Sequence, residues 1–279
     1  MKHHELQFVV VIYNKLLKDS ESIQSLLPTI LGYDCGLLIY DNSNTCQDVS
    51  HLTKNSNIKY IHDETNSGLS KAYNISAKIA KEDQRKYMIL LDQDTIFPSN
   101  SIDKYLEAIN KHDDKKLFAP ILKIQNGKIM SPCIYRYKWG KLIDFMLPGK
   151  YSLHHYLPVN SGLCISIEAF FEVGGYNEKV KLDGADFQFI ERFKKKYDDF
   201  IVLDLVLFQN FSLFDNDFIT IAQRYKMFIE DVSNFERSSL VDRFWFQRII
   251  VIRTILLTLQ TKKSFFIRQY INKFFNPFK

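Results

Sequence analysis

Four short apolar runs in the first third of the chain, each closed by a polar cluster, restrict the fold more than any other feature. Leu6-Gln7-Phe8-Val9-Val10-Val11-Ile12 reads as a buried strand because β-branched and aromatic side chains suit a pleated surface. Gly36 to Tyr40, Ile58 to Ile61 and Lys86 to Leu91 read the same way, while Asp19 to Leu31 and Ser70 to Lys81 carry apolar residues at helical spacing. This alternation predicts an α/β domain with a mostly parallel sheet flanked by helices. The runs end in Tyr13-Asn14, Asp41-Asn42-Ser43, Asp63-Glu64-Thr65-Asn66 and Asp92-Gln93-Asp94. Open α/β sheets bind ligands beyond the carboxyl ends of their strands, so the chemistry is expected there.

The segment from Lys115 to about Pro158 holds shorter runs and turn residues such as Gln125-Asn126-Gly127-Lys128, which suit a hairpin or meander. Val159 to Ile167 reads as a strand, Glu168 to Val173 as a short helix stopped by Gly174-Gly175, and Asp186 to Tyr197 as a further helix. One boundary, near Asp215 to Asp217, divides an α/β domain over residues 1–215 from a basic, amphipathic helical extension over 216–279. From Arg243 onward there are eight Lys or Arg residues and no Asp or Glu. Arg243, Gln247, Thr254, Thr258 and Thr261 recur near the helical period and leave a wide apolar face, interrupted by Arg248 and Arg253. The apolar run is far shorter than the roughly 20 residues that span a bilayer. Residues 243–279 therefore read either as an interfacial segment on an anionic membrane surface or as a helix packed on its own domain or on a second copy in a homo-oligomer.

The net charge of +5 comes without a nucleic-acid reading motif, so no nucleic-acid partner is expected. Met1 to Glu5 runs straight into Leu6 with neither the length nor the cleavage site of an export signal, which predicts a cytoplasmic location, extending to the inner face of the cell membrane. Cys35, Cys46, Cys133 and Cys164 are too scattered for a zinc site or a disulfide framework.

In Leu90-Leu91-Asp92-Gln93-Asp94 two carboxylates stand one residue apart at the end of an apolar strand. Residues i and i+2 share a side in extended chain, so both can converge on one hard cation, Mn²⁺ or Mg²⁺. Such a cation neutralises charge building on a diphosphate leaving group. Asp41 can accept a hydrogen bond from a pyrimidine ring N–H, or close an Asx turn with Asn42-Ser43-Asn44. Tyr13 offers a stacking surface for the same base, or ordinary packing. Asn66-Ser67-Gly68 leads into a helix with Ser70 as candidate cap, whose first amides, with Lys71, can meet phosphate or sugar groups. Asp186, after Asp183-Gly184-Ala185, is placed to act as a carboxylate base toward an incoming hydroxyl, or to cap a helix.

In this order the pieces resemble the large family 2 of inverting glycosyltransferases, which share the GT-A fold. The matching residues are Val11-Ile12-Tyr13-Asn14, Tyr40-Asp41-Asn42-Ser43, Asn66-Ser67-Gly68 through Asn74, Leu91-Asp92-Gln93-Asp94, Asn160-Ser161-Gly162, and Gly174-Gly175-Tyr176-Asn177-Glu178 leading to Asp186. The resemblance covers about residues 6 to 214 and looks most like the rhamnosyltransferase branch. It implies that Tyr13 and Asp41 hold the nucleobase, that Asp92 lies near ribose and diphosphate, that Asp94 ligates the metal, and that Asp186 is the base. A processive polymer synthase would show a Q-x-x-R-W motif and transmembrane helices, so transfer of one sugar is expected instead, from a dTDP- or UDP-linked donor with rhamnose among the candidates, to a cell-surface glycan or, as the basic tail suggests, a lipid-linked acceptor. Relatives often carry Glu before the base and a metal-binding His after the next strand, whereas this chain has Ala185 and Phe208-Gln209-Asn210. That departure keeps an inactive nucleotide-sugar-binding protein in view. A sugar-nucleotide nucleotidyltransferase is the other alternative, disfavoured because Tyr13-Asn14-Lys15-Leu16 is not a Gly-rich basic loop.

Overall fold

The computed structural model describes residues 2–209 and 217–275. Strands β1 (Leu6–Ile12), β2 (Gly36–Asp41), β3 (Ile58–His62) and β4 (Tyr87–Asp92) alternate with helices α1 (Glu21–Gly32) and α2 (Leu69–Glu82), as the apolar runs predict. The four strands lie parallel in the order β3-β2-β1-β4. Successive residues of β1 face opposite layers: Val9 packs with Tyr73 and Ala77 of α2, whereas Phe8 and Val10 pack with Ile23 and Leu26 of α1. That two-sided burial explains why these strands read as continuous apolar runs.

After β5 (Thr95–Ile96) comes α3 (Ser101–Lys111), a helix not among the predicted elements. Ile102, Tyr105, Leu106 and Ile109 are buried at the i, i+3, i+4, i+7 spacing that carries its signal. The middle section forms β6 (Leu117–Ile124), β7 (Ile129–Arg136), β8 (Trp139–Ile143), β9 (Gly149–Ser152) and β10 (Tyr156–Leu157), with antiparallel β6–β7 and β7–β8 pairs as its turn residues predict. Only β11 (Cys164–Ser166) of the expected Val159 to Ile167 strand pairs, because Asn160-Ser161-Gly162 turns first. The Leu163 amide donates to the Asn160 carbonyl, and Gly162 has φ +79°. Helices α4 (Ile167–Glu172) and α5 (Ala185–Phe193) follow, then β12 (Asp199–Gln209), parallel to β6 and antiparallel to β5 and β9.

Helices α6 (Phe218–Ser233), α7 (Leu240–Thr261) and α8 (Phe265–Phe274) gather around Tyr225, Phe228, Ile250 and Phe266. The expected boundary at Asp215 to Asp217 lies outside the described residues except for Asp217, whose carboxylate caps α6. The sequence puts Gln247 and Thr254 on an outward polar stripe, but the structure turns them inward. Thr254 Oγ1 bonds the Tyr225 hydroxyl at 2.6 Å, and Gln247 Nε2 donates to the Tyr270 hydroxyl. The buried Tyr225 hydroxyl and the half-buried Tyr270 hydroxyl find partners in these two polar side chains. The opposite side of α7 carries exposed Leu240, Phe244, Ile255 and Leu259. No helix of the described residues is long and apolar enough to cross a membrane.

Gly162 has a steric reason as well as a conformational one: a Cβ there would lie 2.5 Å from Pro120 Cγ and 2.8 Å from Leu207 Cδ1. Gly162→Ala is expected to lower the free energy of urea unfolding by about 2–4 kcal/mol, from positive-φ strain plus overpacking; a loss under about 0.5 kcal/mol would show that the turn relaxes freely.

Candidate active site

The ends of β1, β2 and β4 are tied together by side chains from neighbouring loops. Ser22, in the first turn of α1, donates its hydroxyl to the carbonyls of Asp92 and Thr95, and Ser20 donates to the carbonyl of Gln93 at 2.8 Å. Gln93 then reaches sideways. Its Oε1 accepts from the Tyr13 amide at 2.9 Å and its Nε2 donates to the Tyr13 carbonyl at 3.4 Å. The middle residue of Asp92-Gln93-Asp94 thus clamps the backbone of Tyr13 and leaves its ring 48% exposed beside the carboxylates. No local pattern points to this role of Gln93, since its partner lies 80 positions away.

Asp41 is fully buried. Its Oδ1 accepts from the Ser43 amide at 2.9 Å, the Asx-turn contact, and its Oδ2 accepts from Gln47 Nε2 at 3.0 Å and the Tyr60 hydroxyl at 2.9 Å. Both oxygens are occupied in holding residues 42–47. The buried Oδ1 of the adjacent Asn42 has no partner among the described residues.

Asn66, at φ +47°, accepts from Lys181 Nζ through its carbonyl at 3.4 Å. Lys71 Nζ donates to the Ser67 hydroxyl at 3.1 Å and pairs with Asp63 at 3.6 Å. Burial opposes ionisation of Asp63, but hydrogen bonds from Thr65, Tyr40 and Ser67 and the Lys71 charge hold its carboxyl well below the usual range. The N-cap of α2 is Gly68 rather than Ser70, whose hydroxyl donates to the Val180 carbonyl. The Leu69 amide donates to the Lys181 carbonyl at 2.8 Å, so the first amide of the helix is taken by the 180–182 segment rather than left open to an anion. Gly68 permits that approach: a Cβ would lie 2.4 Å from the Lys181 oxygen.

The carboxylates of β4 meet across the crevice with β12. Gln209, buried at the end of β12, donates Nε2 to Asp94 Oδ1 at 2.8 Å and to Asp92 Oδ2 at 3.3 Å, while its own Oε1 is buried without a partner. Of the two residues standing where relatives carry histidine, Gln209 reaches both aspartates; Asn210 lies outside the described residues. Burial first, and then the Asp94 charge, push Asp92 from 3.8 to about 7, with a smaller contribution from Asp186. Burial also raises Asp94. Asp186 sits in the first turn of α5 behind Gly184, the N-cap, and its Oδ1 accepts from the Phe187 amide at 2.8 Å. Burial, joined by the Asp183 charge, raises it to about 6. The geometry gives the N-cap position to Gly184 rather than to Asp183 or Asp186, leaves Asp186 holding one first-turn amide, and brings Asp186 into electrostatic reach of Asp92.

A residue far from any motif holds the approach to Asp186. Asp231, buried on α6, accepts from the amides of Lys181 (2.8 Å), Leu182 (3.0 Å) and Asp183 (2.8 Å). Gly184, at φ +78°, lies under Phe235, whose ring would be 2.4 Å from a Cβ. Arg253 of α7 stands 3.7 Å from Asp183. On the other side, Asn74 of α2 exchanges two hydrogen bonds with the Tyr176 backbone, and the Tyr176 hydroxyl donates to Asn160 at 2.6 Å. The Asn160-Ser161-Gly162 and Gly174-Gly175-Tyr176-Asn177-Glu178 motifs are thereby joined into the wall beside Asp186.

Among the described residues no cluster of three or more His, Cys, Asp and Glu gathers in ligand geometry. The donor types at the ends of β4 and β12 fit a hard cation, because two carboxylates and, with the amide turned over, the Gln209 carbonyl oxygen are all oxygen donors, and such ions complete their shell with phosphate.

A family model described as "Glycosyl transferase family 2" matches residues 8–163. No curated protein matches the sequence. Solved structures with the same fold include S. aureus TarS, at 16% identity and TM-score 0.57, over 87% of this chain and 41% of that one. They also include S. aureus TarS 1-349 in complex with UDP-GlcNAc, at 14% identity and TM-score 0.58, over 98% of this chain and 79% of that one. A third is TarS 1-349 in complex with UDP, at 15% identity and TM-score 0.57, over 88% and 70%.

A carboxyl whose pKa is higher folded than unfolded stabilises the fold in acid, and that stability is lost as pH rises through the folded value. For Asp92 the loss runs between 3.8 and about 7. Asp92→Asn is accordingly expected to raise the thermal midpoint of chelator-treated protein at about pH 7.5 by roughly 3 °C and to leave it unchanged near pH 4; equal midpoints at both would show that the crevice does not strain this carboxyl. Asp231→Ala orphans three amides and is expected to cost about 3 kcal/mol in denaturant unfolding; a loss below about 1 kcal/mol would mean that water replaces the carboxylate.

Proposed function

The chain belongs to glycosyl transferase family 2, and we propose that it transfers a single sugar, with inversion, from a nucleotide-sugar to a hydroxyl of a cell-surface glycan or lipid-linked acceptor. The observation that carries this reading is the meeting of Asp92, Asp94 and Gln209 with Asp186 in one crevice at the strand ends. The donor we infer is a pyrimidine nucleotide-sugar, UDP- or dTDP-linked. Solved structures of the same fold bound to UDP and UDP-GlcNAc support a uridine donor, and the rhamnosyltransferase-like motifs keep dTDP-rhamnose among the candidates.

In this reading the exposed Tyr13 ring stacks on the base, and the loop held by Asp41 flanks the base edge with the unpartnered Asn42 Oδ1. Asn66 and Lys71 border the donor from the α2 side. Asp92 and Asp94, with Gln209, would hold Mn²⁺ or Mg²⁺ against the diphosphate. When bound, the cation supplies Lewis-acid neutralisation of the leaving group. Asp186 takes the proton of the acceptor hydroxyl as that oxygen attacks the anomeric carbon, and the nucleoside diphosphate departs from the opposite side. Its raised pKa suits the task, since a base near neutrality holds a proton more readily than an ordinary carboxylate and is still ionised at pH 7.

Asp186→Asn is expected to reduce turnover at least about 100-fold while donor binding stays within a factor of two. The wild-type rate should rise with pH through about 6 as Asp186 ionises. A thermal-shift screen over UDP-GlcNAc and dTDP-rhamnose, with Mn²⁺ or chelator, selects the donor, and Asp94→Ala should abolish only the metal-dependent part of the shift. Unaltered turnover in Asp186→Asn would remove the base assignment, and donor binding without transfer to any hydroxyl acceptor would leave a nucleotide-sugar-binding protein instead.

A further inference from the structure

The β7–β8 hairpin and α7 form an exposed surface that the catalytic reading does not use. Between them lies a groove of about 520 Å³, lined by Ile134, Tyr137 and Trp139 together with Arg136, Lys141 and Arg248. No carboxylate lines it. None of the three cations has an ion-pair partner among the described residues, whereas the nearby Lys138 is paired with Glu191 and Asp242. Aromatic rings stabilise the cationic side: Arg136 lies 4.9 Å from the Tyr137 ring, Arg248 lies 5.3 Å from the Trp245 ring, and Tyr137 stacks on Trp245 at 4.5 Å. The surface continues along α7, where Leu240, Phe244, Ile255 and Leu259 are exposed on the stripe that contains Arg248.

We propose that this surface docks the protein on an anionic phospholipid bilayer. Exposed apolar side chains alone fit several partners, and the charge pattern selects among them. Unpaired arginine and lysine among tyrosine and tryptophan is the composition that sits at the headgroup level, with the apolar residues dipping below it. A second copy of this chain, paired face to face about a two-fold axis, would set these cations against each other. The surface differs from the contiguous tail that the sequence suggests. It joins the outward stripe of α7 to a hairpin about 100 residues earlier, while Arg253 and Lys273 of the tail are turned to Asp183 and Glu230.

The position relative to the crevice gives the docking a use. The inner face of the same hairpin touches the first turn of α5: Tyr135 packs on Phe187 at 5.5 Å, and a Cβ on Gly140 would stand 3.3 Å from that ring. Phe187 adjoins Asp186. Only the thickness of the hairpin separates the docking face from the proposed base, which suits an acceptor hydroxyl carried on a membrane-anchored molecule. The docking itself does not depend on the glycosyltransferase reading.

Sedimentation of the full chain with phosphatidylcholine vesicles, with and without phosphatidylglycerol, tests the proposal. The protein should pellet with the anionic vesicles, not with the neutral ones, and should be released at about 0.5 M salt. The combined variant Arg136→Gln, Lys141→Gln and Arg248→Gln should lose binding on the order of 100-fold with an unchanged melting curve. Phe244→Ser with Leu259→Ser should lose binding without altering its salt dependence. Should the triple variant fail to fold, the salt release and the Phe244→Ser, Leu259→Ser variant decide independently. Absence of wild-type pelleting, equal pelleting with both vesicles, undiminished binding in a folded variant, or a dimer in solution that Phe244→Ser disperses would each overturn the proposal.

Discussion

Three carboxylates share one partly dehydrated crevice, and the loops around it are arranged by that constraint. Removing Asp92, Asp94 and Asp186 from water without a counter-charge raises all three pKa values. Gln209 offers an amide that softens this without cancelling it, so the crevice keeps an unmet demand for positive charge. The Gln209 amide can present nitrogen to the carboxylates or oxygen to a cation, and it makes either choice without a change of charge.

The extension of three helices bears on the same crevice from outside. Its core around Tyr225, Ile250 and Phe266 is separate from the two clusters that face the sheet. Yet its most consequential buried polar group, Asp231, is turned toward the α/β domain and grips consecutive amides ahead of Asp186. A burial cost is accepted in order to satisfy three backbone donors that the turn through Gly184 leaves without partners of their own. The helices are thus bound to the loop before Asp186 by hydrogen bonds and by Phe235 over Gly184, as well as by packing.

Local signals were legible and distant ones were not. Strands β1 to β4 and their polar ends could be read because each is encoded within a few consecutive residues, and the same holds for the hairpin turns of the middle section. Asp92, Asp94 and Asp186 were identifiable as residue types at strand and helix ends. Gln93 was not, because its contact with Tyr13 spans 80 positions. The same reason hides the link from Gln209 to Asp94, across 115 positions, and those from Asp231 to residues 181–183, across 48 to 50. Asp41 was legible only in part: its Asx turn to Ser43 is encoded locally, while its partners Gln47 and Tyr60 are visible only after folding. On α7 the hydropathy pattern misleads because hydroxyl and amide groups that find tyrosine partners look, in sequence, like a solvated face.

The grip of Asp231 also bears on where a minimal working unit ends. A fragment cut at residue 215 would retain every motif by which the family resemblance was read, from Tyr13 to Asp186. It would nevertheless leave three backbone donors and a left-handed glycine turn with nothing to hold them. Recognisability and mechanical completeness therefore have different borders in this chain. Trimming the chain to residues 6–214, the span of the resemblance, would keep the lettering of the site and discard its hinge pin.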